Sequence, residues 1–115
     1  MSVYDIAVKY SNQIKAVEYP KHPSKPVKRN DETHTEFGVR MDQYESDIKQ
    51  WNVLHNEYHQ AVGRIEDSFR QALFVELGIE NHPKRDKFYD KAWQRGHSGG
   101  LNEVASELEG LVELM

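Results

Sequence analysis

Apolar and aromatic residues return along the middle of the chain at alternating steps of four and three. Phe37, Met41, Tyr44, Ile48, Trp51, His55, Tyr58, Val62, Ile65, Phe69 and Ala72 make an almost unbroken heptad series. That spacing puts all of them on one stripe of an α-helix. A stripe held at 3.5 residues per turn calls for a partner along its length. Thr33-His-Thr-Glu36 reads as a capping box, with the Thr33 hydroxyl accepting from the Glu36 N–H and the Glu36 carboxylate reaching back to the Thr33 N–H. The long helix should therefore begin near His34. It meets no proline before Pro83, and Gly78 is suited to the residue just past its end. Some 44 residues at 1.5 Å each make a rod of roughly 65 Å. Gly63, inside it, would mark a bend or a close approach by another helix.

The flanking patterns are shorter. Ser2 is a good N-cap, and Val3, Ile6, Ala7, Tyr10, Ile14 and Val17 follow at helical spacing. Tyr19 precedes Pro20 and is pushed out of the α region, so this helix should stop near Glu18. Pro20, Pro23 and Pro26 then recur every third residue, the period of polyproline II. About 12 such residues at roughly 3 Å each span some 35 Å, enough to run back along a helix as a strap, the alternative being a flexible tail. Its rings can lie against Tyr44, Trp51 or Tyr58, as in aromatic-lined polyproline grooves.

Asn81-His82-Pro83 reads as a further helix start with Pro83 at the first helical position. Phe88, Tyr89, Ala92 and Trp93 form its apolar face, and Gly96 should end it. Ser98 or Asn102 caps a last helix whose stripe is Leu101, Val104, Ala105, Leu108, Leu111, Val112 and Met115, so the C-terminal end should be packed. The expected fold is all-α and coiled-coil-like, a single helical domain. It comprises a short N-terminal helix (1–18), a proline-spaced strap (19–32), one very long helix (33–78) and a C-terminal helical pair (82–115).

The seam residues Phe37, Tyr44, Ile48, Trp51, Tyr58, Val62, Ile65 and Phe69 are the expected interaction surface. Each large apolar side chain contributes about 1.5–3 kcal/mol when buried. The short helices and the strap would cover much of one side but leave part of the stripe bare, so a homodimer or higher oligomer is expected, the alternative being a monomeric bundle with an amphipathic surface helix.

Composition agrees with a helix-rich chain: of 115 residues, 30% are charged and only seven are glycine. The formal net charge is −4, unevenly spread. Residues 1–30 hold six Lys/Arg and two acids, while residues 31–83 hold eleven acids and four Lys/Arg. Residues 84–97 are basic again, and residues 98–115 carry four glutamates and no Lys or Arg. Such blocks mostly solvate helix faces. There is no cysteine, which excludes disulfides, thiolate metal sites and a cysteine nucleophile and fits a reducing cytoplasm. MSVYDIAVKY lacks a signal-peptide pattern, and no run approaches 18 apolar residues, so no membrane segment is expected.

Little of the chemistry in the sequence is specific. Gly96-His-Ser-Gly99-Gly100 satisfies G-x-S-x-G, but that elbow needs a strand before the serine, and here a helix precedes it. A glycine-rich turn between helices explains the same residues. His55 and His59 in HNEYH stand four apart and can grip a metal, yet this is not the zincin motif and no third ligand follows at a fixed spacing. No metal site and no cofactor is assigned. Pro20-x-x-Pro23-x-Lys25 resembles an SH3 ligand but also describes a stiff spacer. Basic patches occur at Lys21, Lys25, Lys28 and Arg29, and at Lys84, Arg85, Lys87, Lys91 and Arg95 among Phe88, Tyr89 and Trp93. The second could hold single-stranded nucleic acid, although net negative charge opposes this. Asp42, Glu45, Asp47, Glu57, Glu66 and Asp67 offer no separated acid–base pair and most simply solvate the rod.

Residues 82–115 carry His82-Pro83-Lys84, then Ala92-Trp93, Gly96-His97-Ser98, Glu103-Val104 and Leu111-Val112-Glu113-Leu114. This order resembles the C-terminal part of small proteins encoded by tailed bacteriophages. The proline strap followed by a Trp/Tyr-bearing helix is similar too. The resemblance implies a phage origin and the cytoplasm of a host cell, and it transfers no catalytic residue. The expected function is non-enzymatic: binding to a host protein complex and inhibiting or redirecting it. The alternative is a nucleic-acid-associated accessory protein using the patches at 21–29 and 84–95.

Overall fold

The computed structural model describes residues 2–114. The fold is all-α, with α1 at Val3–Ala16, α2 at His34–Glu76, α3 at Arg85–Gly96 and α4 at Leu101–Glu113. A 3₁₀ turn, His97–Gly99, joins the last two, and no strand occurs among the described residues. The long heptad-patterned helix runs unbroken for 43 residues. The chain condenses into two compact units: Glu18–Ala61, and the chain on either side of it.

Local chemistry sets the helix ends. Ser2 caps α1 through a full capping box: its hydroxyl accepts from the Asp5 N–H at 3.1 Å, and its own N–H donates to the Asp5 carboxylate at 3.3 Å. The helix ends two residues earlier than the Tyr19-Pro20 pair suggested, because Val17 is already extended (φ −76°, ψ 120°). At α2 the cap is half a box. Thr33 Oγ1 accepts from the Glu36 N–H at 3.1 Å, but it also donates to Glu36 Oε1 at 3.1 Å, so the carboxylate meets the hydroxyl instead of the Thr33 N–H.

The far end of α2 closes in a Schellman motif. Gly78 adopts φ 69°, its N–H bonds to the Val75 carbonyl at 3.1 Å, and the Ile79 N–H bonds to the Phe74 carbonyl at 2.8 Å. Ile79 is buried, as that motif's apolar contact requires. The next helix starts at Arg85, two residues after Pro83. His82 Nδ1 accepts the Lys84 N–H at 3.0 Å and holds Pro83 and Lys84 in a turn. Neither Ser98 nor Asn102 caps α4; Gly100 does, at φ 94°.

The buried core belongs to the unit formed by α1, the end of α2, α3 and α4. Ile6 and Ala7 of α1 meet Phe69, Leu73 and Phe74 of α2, Tyr89 and Ala92 of α3, and Leu101, Val104, Ala105, Leu108 and Leu111 of α4. Tyr10 sets its edge against Phe69 at 6.0 Å, and Phe74 and Tyr89 meet likewise at 6.0 Å, the edge-to-face geometry aromatic quadrupoles favour. The α4 stripe loses cover after Val112: Leu114 is 84% exposed. Met115, which the sequence pattern placed on the stripe, lies outside the described residues.

Two glycines differ in kind. A Cβ on Gly96 would lie 2.7 Å from the carbonyl carbon of Glu103 and from the Val104 nitrogen, so only glycine lets α3 approach α4 here. A Cβ on Gly63 would meet nothing within 4 Å, so no close approach explains that residue. Gly96→Ala should therefore destabilise by about 1–3 kcal/mol through overpacking, whereas Gly63→Ala should stabilise by about 0.4–1 kcal/mol through a less flexible unfolded chain. Urea unfolding of the two variants should give midpoint shifts of opposite sign.

Candidate interaction surface

Between Glu18 and Ala61 the chain folds the strap onto the heptad stripe. The strap has neither helix nor strand from Glu18 to Arg29, so it offers side chains and stray carbonyls in place of a hydrogen-bonded ladder. Trp51 uses both. Its indole N–H donates to the Pro20 carbonyl at 3.2 Å, and the His22 ring meets its face edge-on at 4.7 Å. His22 Nδ1 donates to the Pro23 carbonyl at 2.7 Å, which fixes the ring's tautomer and turn. One helical turn on, His55 stacks on Trp51 at 4.5 Å with a 25° tilt. Tyr19 then sets its edge against His55 at 5.8 Å and Tyr58 at 4.9 Å. Pro23 and Pro26 face Tyr44 across an open cleft of about 430 Å³ that Lys21, Arg40 and Asp47 also line. The strap thus meets Trp51 and Tyr58 through the Pro20 carbonyl and the Tyr19 and His22 rings, in place of the proline rings that the spacing suggested.

Its far end is tied by charge. Arg40 Nη1 reaches both carboxylate oxygens of Glu32, at 2.7 and 2.8 Å, and touches the Val27 carbonyl at 3.5 Å. Glu32 also accepts the Arg29 N–H at 3.2 Å and is itself buried. The Arg40 hydrogen bond holds the Glu32 carboxyl below its ordinary value, against the upward pull of burial. No sequence signal marked this pair. The two residues are eight apart, with the helix cap between them, and only the folded strap joins them.

The cover is incomplete. Phe37, Met41, Tyr44, Ile48, Trp51, His55 and Tyr58 are all half-buried, and Val39, Val53 and Leu54 beside them are exposed. In the other unit Val62 and Ile65 are also half-buried. Phe69 differs: it is wholly buried in its own unit's core and has no surface to offer a partner.

The second basic patch divides by orientation. Lys87, Lys91 and Arg95 are exposed along one stripe of α3, and Lys84 is exposed at its N-cap. Arg85 is half-buried over the Phe74 ring at 5.5 Å. The aromatics that would stack on bases face inward: Tyr89 is in the core, Phe88 and Trp93 pack against it, and Trp93 also stacks on His97. Burial and the nearby Glu66 push the Tyr89 phenol up to about 12. Among the acids read as solvating, Asp42, Glu45, Glu57 and Asp67 are exposed, while Asp47 and Glu66 are half-buried. Burial, then Asp67, raises the Glu66 carboxyl. Ser98 sits exposed in the 3₁₀ turn between two helices. No helix among the described residues is long and apolar enough to cross a membrane.

The chain belongs to a family defined by sequence and described as Family of unknown function (DUF8546), whose model matches residues 8–115. No curated protein and no solved structure matches the chain.

The Glu32–Arg40 pair makes the strap acid-sensitive in a fixed direction. A carboxyl held low when folded stabilises the fold above its ordinary value of 4.5, and that contribution is lost as pH falls through the lower folded value. In a Trp93→Phe background, Trp51 emission should shift to the red as the pH falls below about 4.5. Arg40→Gln should show that shifted emission already at pH 7.

Proposed function

We propose that the protein is a small, non-enzymatic interaction protein that pairs with a second copy through the α2 stripe. It would bind a protein complex of a bacterial host cell, inhibiting or redirecting it. The observation that carries this reading is that every stripe residue from Phe37 to Tyr58 stays partly exposed after the strap has been laid down, as Val62 and Ile65 do in the other unit. A heptad series of this length is ordinarily met by a facing helix. A central patch rich in Tyr, Trp and Phe is typical of contact surfaces between proteins. The exposed Val53 and Leu54 widen the apolar band. The host setting rests on the resemblance of residues 82–115 to tailed-phage proteins. In that setting the protein works in the host cytoplasm.

A second reading, a nucleic-acid accessory role, is favoured by the exposed stripe of Lys87, Lys91 and Arg95 on α3, with Lys84 exposed at its N-cap. The inward-turned aromatics leave it phosphate contacts without base stacking.

Light scattering should give twice the single-chain mass. Ile48→Asp, which places a charge on the stripe without touching the Trp51–Pro20 bond, should halve it and leave helical circular dichroism unchanged. A wild-type mass of one chain at all concentrations overturns the pairing. If the second reading holds instead, short DNA or RNA will be retarded in a salt-sensitive way, and Lys84→Glu with Lys91→Glu will abolish the shift.

A further inference from the structure

The aromatic column on α2 ends in a feature that strap packing does not use. The Nε2 atoms of His55 and His59 lie 3.0 Å apart. At that distance the nitrogens share one proton, or they share something that replaces it. We infer that His55 and His59 form a chelating site for a divalent transition-metal ion.

Metal–imidazole bonds are about 2.0–2.1 Å, so a 3.0 Å bite corresponds to a nitrogen–metal–nitrogen angle of about 95°. A tetrahedral ion would spread the pair to roughly 3.3 Å. The pair stands within about 0.3 Å of the bite that any of these geometries needs, and intrinsic affinity puts Cu²⁺ ahead of Ni²⁺ and Zn²⁺.

The two rings are oriented before any ion arrives. His55 is stacked on Trp51 at 4.5 Å and touched edge-on by Tyr19 at 5.8 Å. His59 meets the Tyr58 ring at 5.4 Å, tilted 72°. Rings already held at their bite lose little freedom on binding. His59 is exposed and His55 half-buried, so the site is open to solvent. No third His, Cys, Asp or Glu joins them among the described residues, so water or a ligand brought by another molecule completes the shell. Binding needs no redox step. The ring that donates its Nε2 proton to the other carries that proton on Nδ1 instead, and both Nε2 lone pairs go to the ion.

Trp51 supplies the readout, since a Cu²⁺ ion one ring away quenches indole emission. In Trp93→Phe protein, titration with CuSO₄ should quench Trp51 with one-to-one stoichiometry, and electron paramagnetic resonance should show coupling to two equivalent nitrogens. His59→Ala and His59→Gln, both at an exposed position, should weaken the quenching transition by at least about 100-fold, the upper end of what losing a merely supporting group costs. His34→Ala and His97→Ala, both at exposed positions away from this column, should leave it in place. Equal affinity in the His59 variants, or a spectrum without paired nitrogens, overturns the site. Neither result bears on whether the chain pairs.

Discussion

One side of a 43-residue helix has to be kept from water, and the chain covers it in two ways. From Phe69 onward the cover is helical. Ile6, Tyr89, Val104 and Leu108 close around Phe69, Leu73 and Phe74, which reach zero exposure. Between Phe37 and Tyr58 the cover is an extended strap, and every stripe residue stays partly exposed. A helix brings side chains from a full face at close packing. An extended segment brings one row of side chains, and its own backbone groups still need partners.

That difference explains the polar fastening of the strap. With no ladder to join, it is held by discrete bonds: the Trp51 indole on the Pro20 carbonyl, and the Arg40 guanidinium on Glu32. Apolar burial alone would leave it free to slide along the stripe, because apolar contact is non-directional. The rings of Tyr19, His22, Trp51, His55 and Tyr58 instead interlock at defined angles. The same interlocking aims His55 and His59 at each other, so one arrangement serves both the strap and the proposed metal site.

Much of this was legible in the chain. The heptad steps marked the long helix. Thr33 marked its start, and Gly78 and Pro83 bounded its end. The three-residue proline period marked an extended strap, while the contacts to Trp51 and Tyr58 come from the Pro20 carbonyl and the rings of His22 and Tyr19. What escaped had no local signature. Glu32 and Arg40 look like ordinary surface charges until the strap folds. The glycine at 96 reads as a helix stop, and only the neighbouring Glu103–Val104 backbone shows that its missing side chain is what lets two helices meet. Phe69 carries the same heptad mark as Trp51, yet lies in a closed core while Trp51 lies beneath the strap. The basic helix looked like a candidate to stack bases until Tyr89, Phe88 and Trp93 were found turned inward.

By itself the sequence determined which segments are helical, where they break, and that one helix carries an apolar stripe in need of cover. Those are matters of spacing, capping and backbone restriction, and they act within a few residues. Tertiary structure alone decided what covers each part of the stripe and how completely. Burial depends on which distant segments arrive and at what distance, and heptad spacing is the same under a helix, a strap or water.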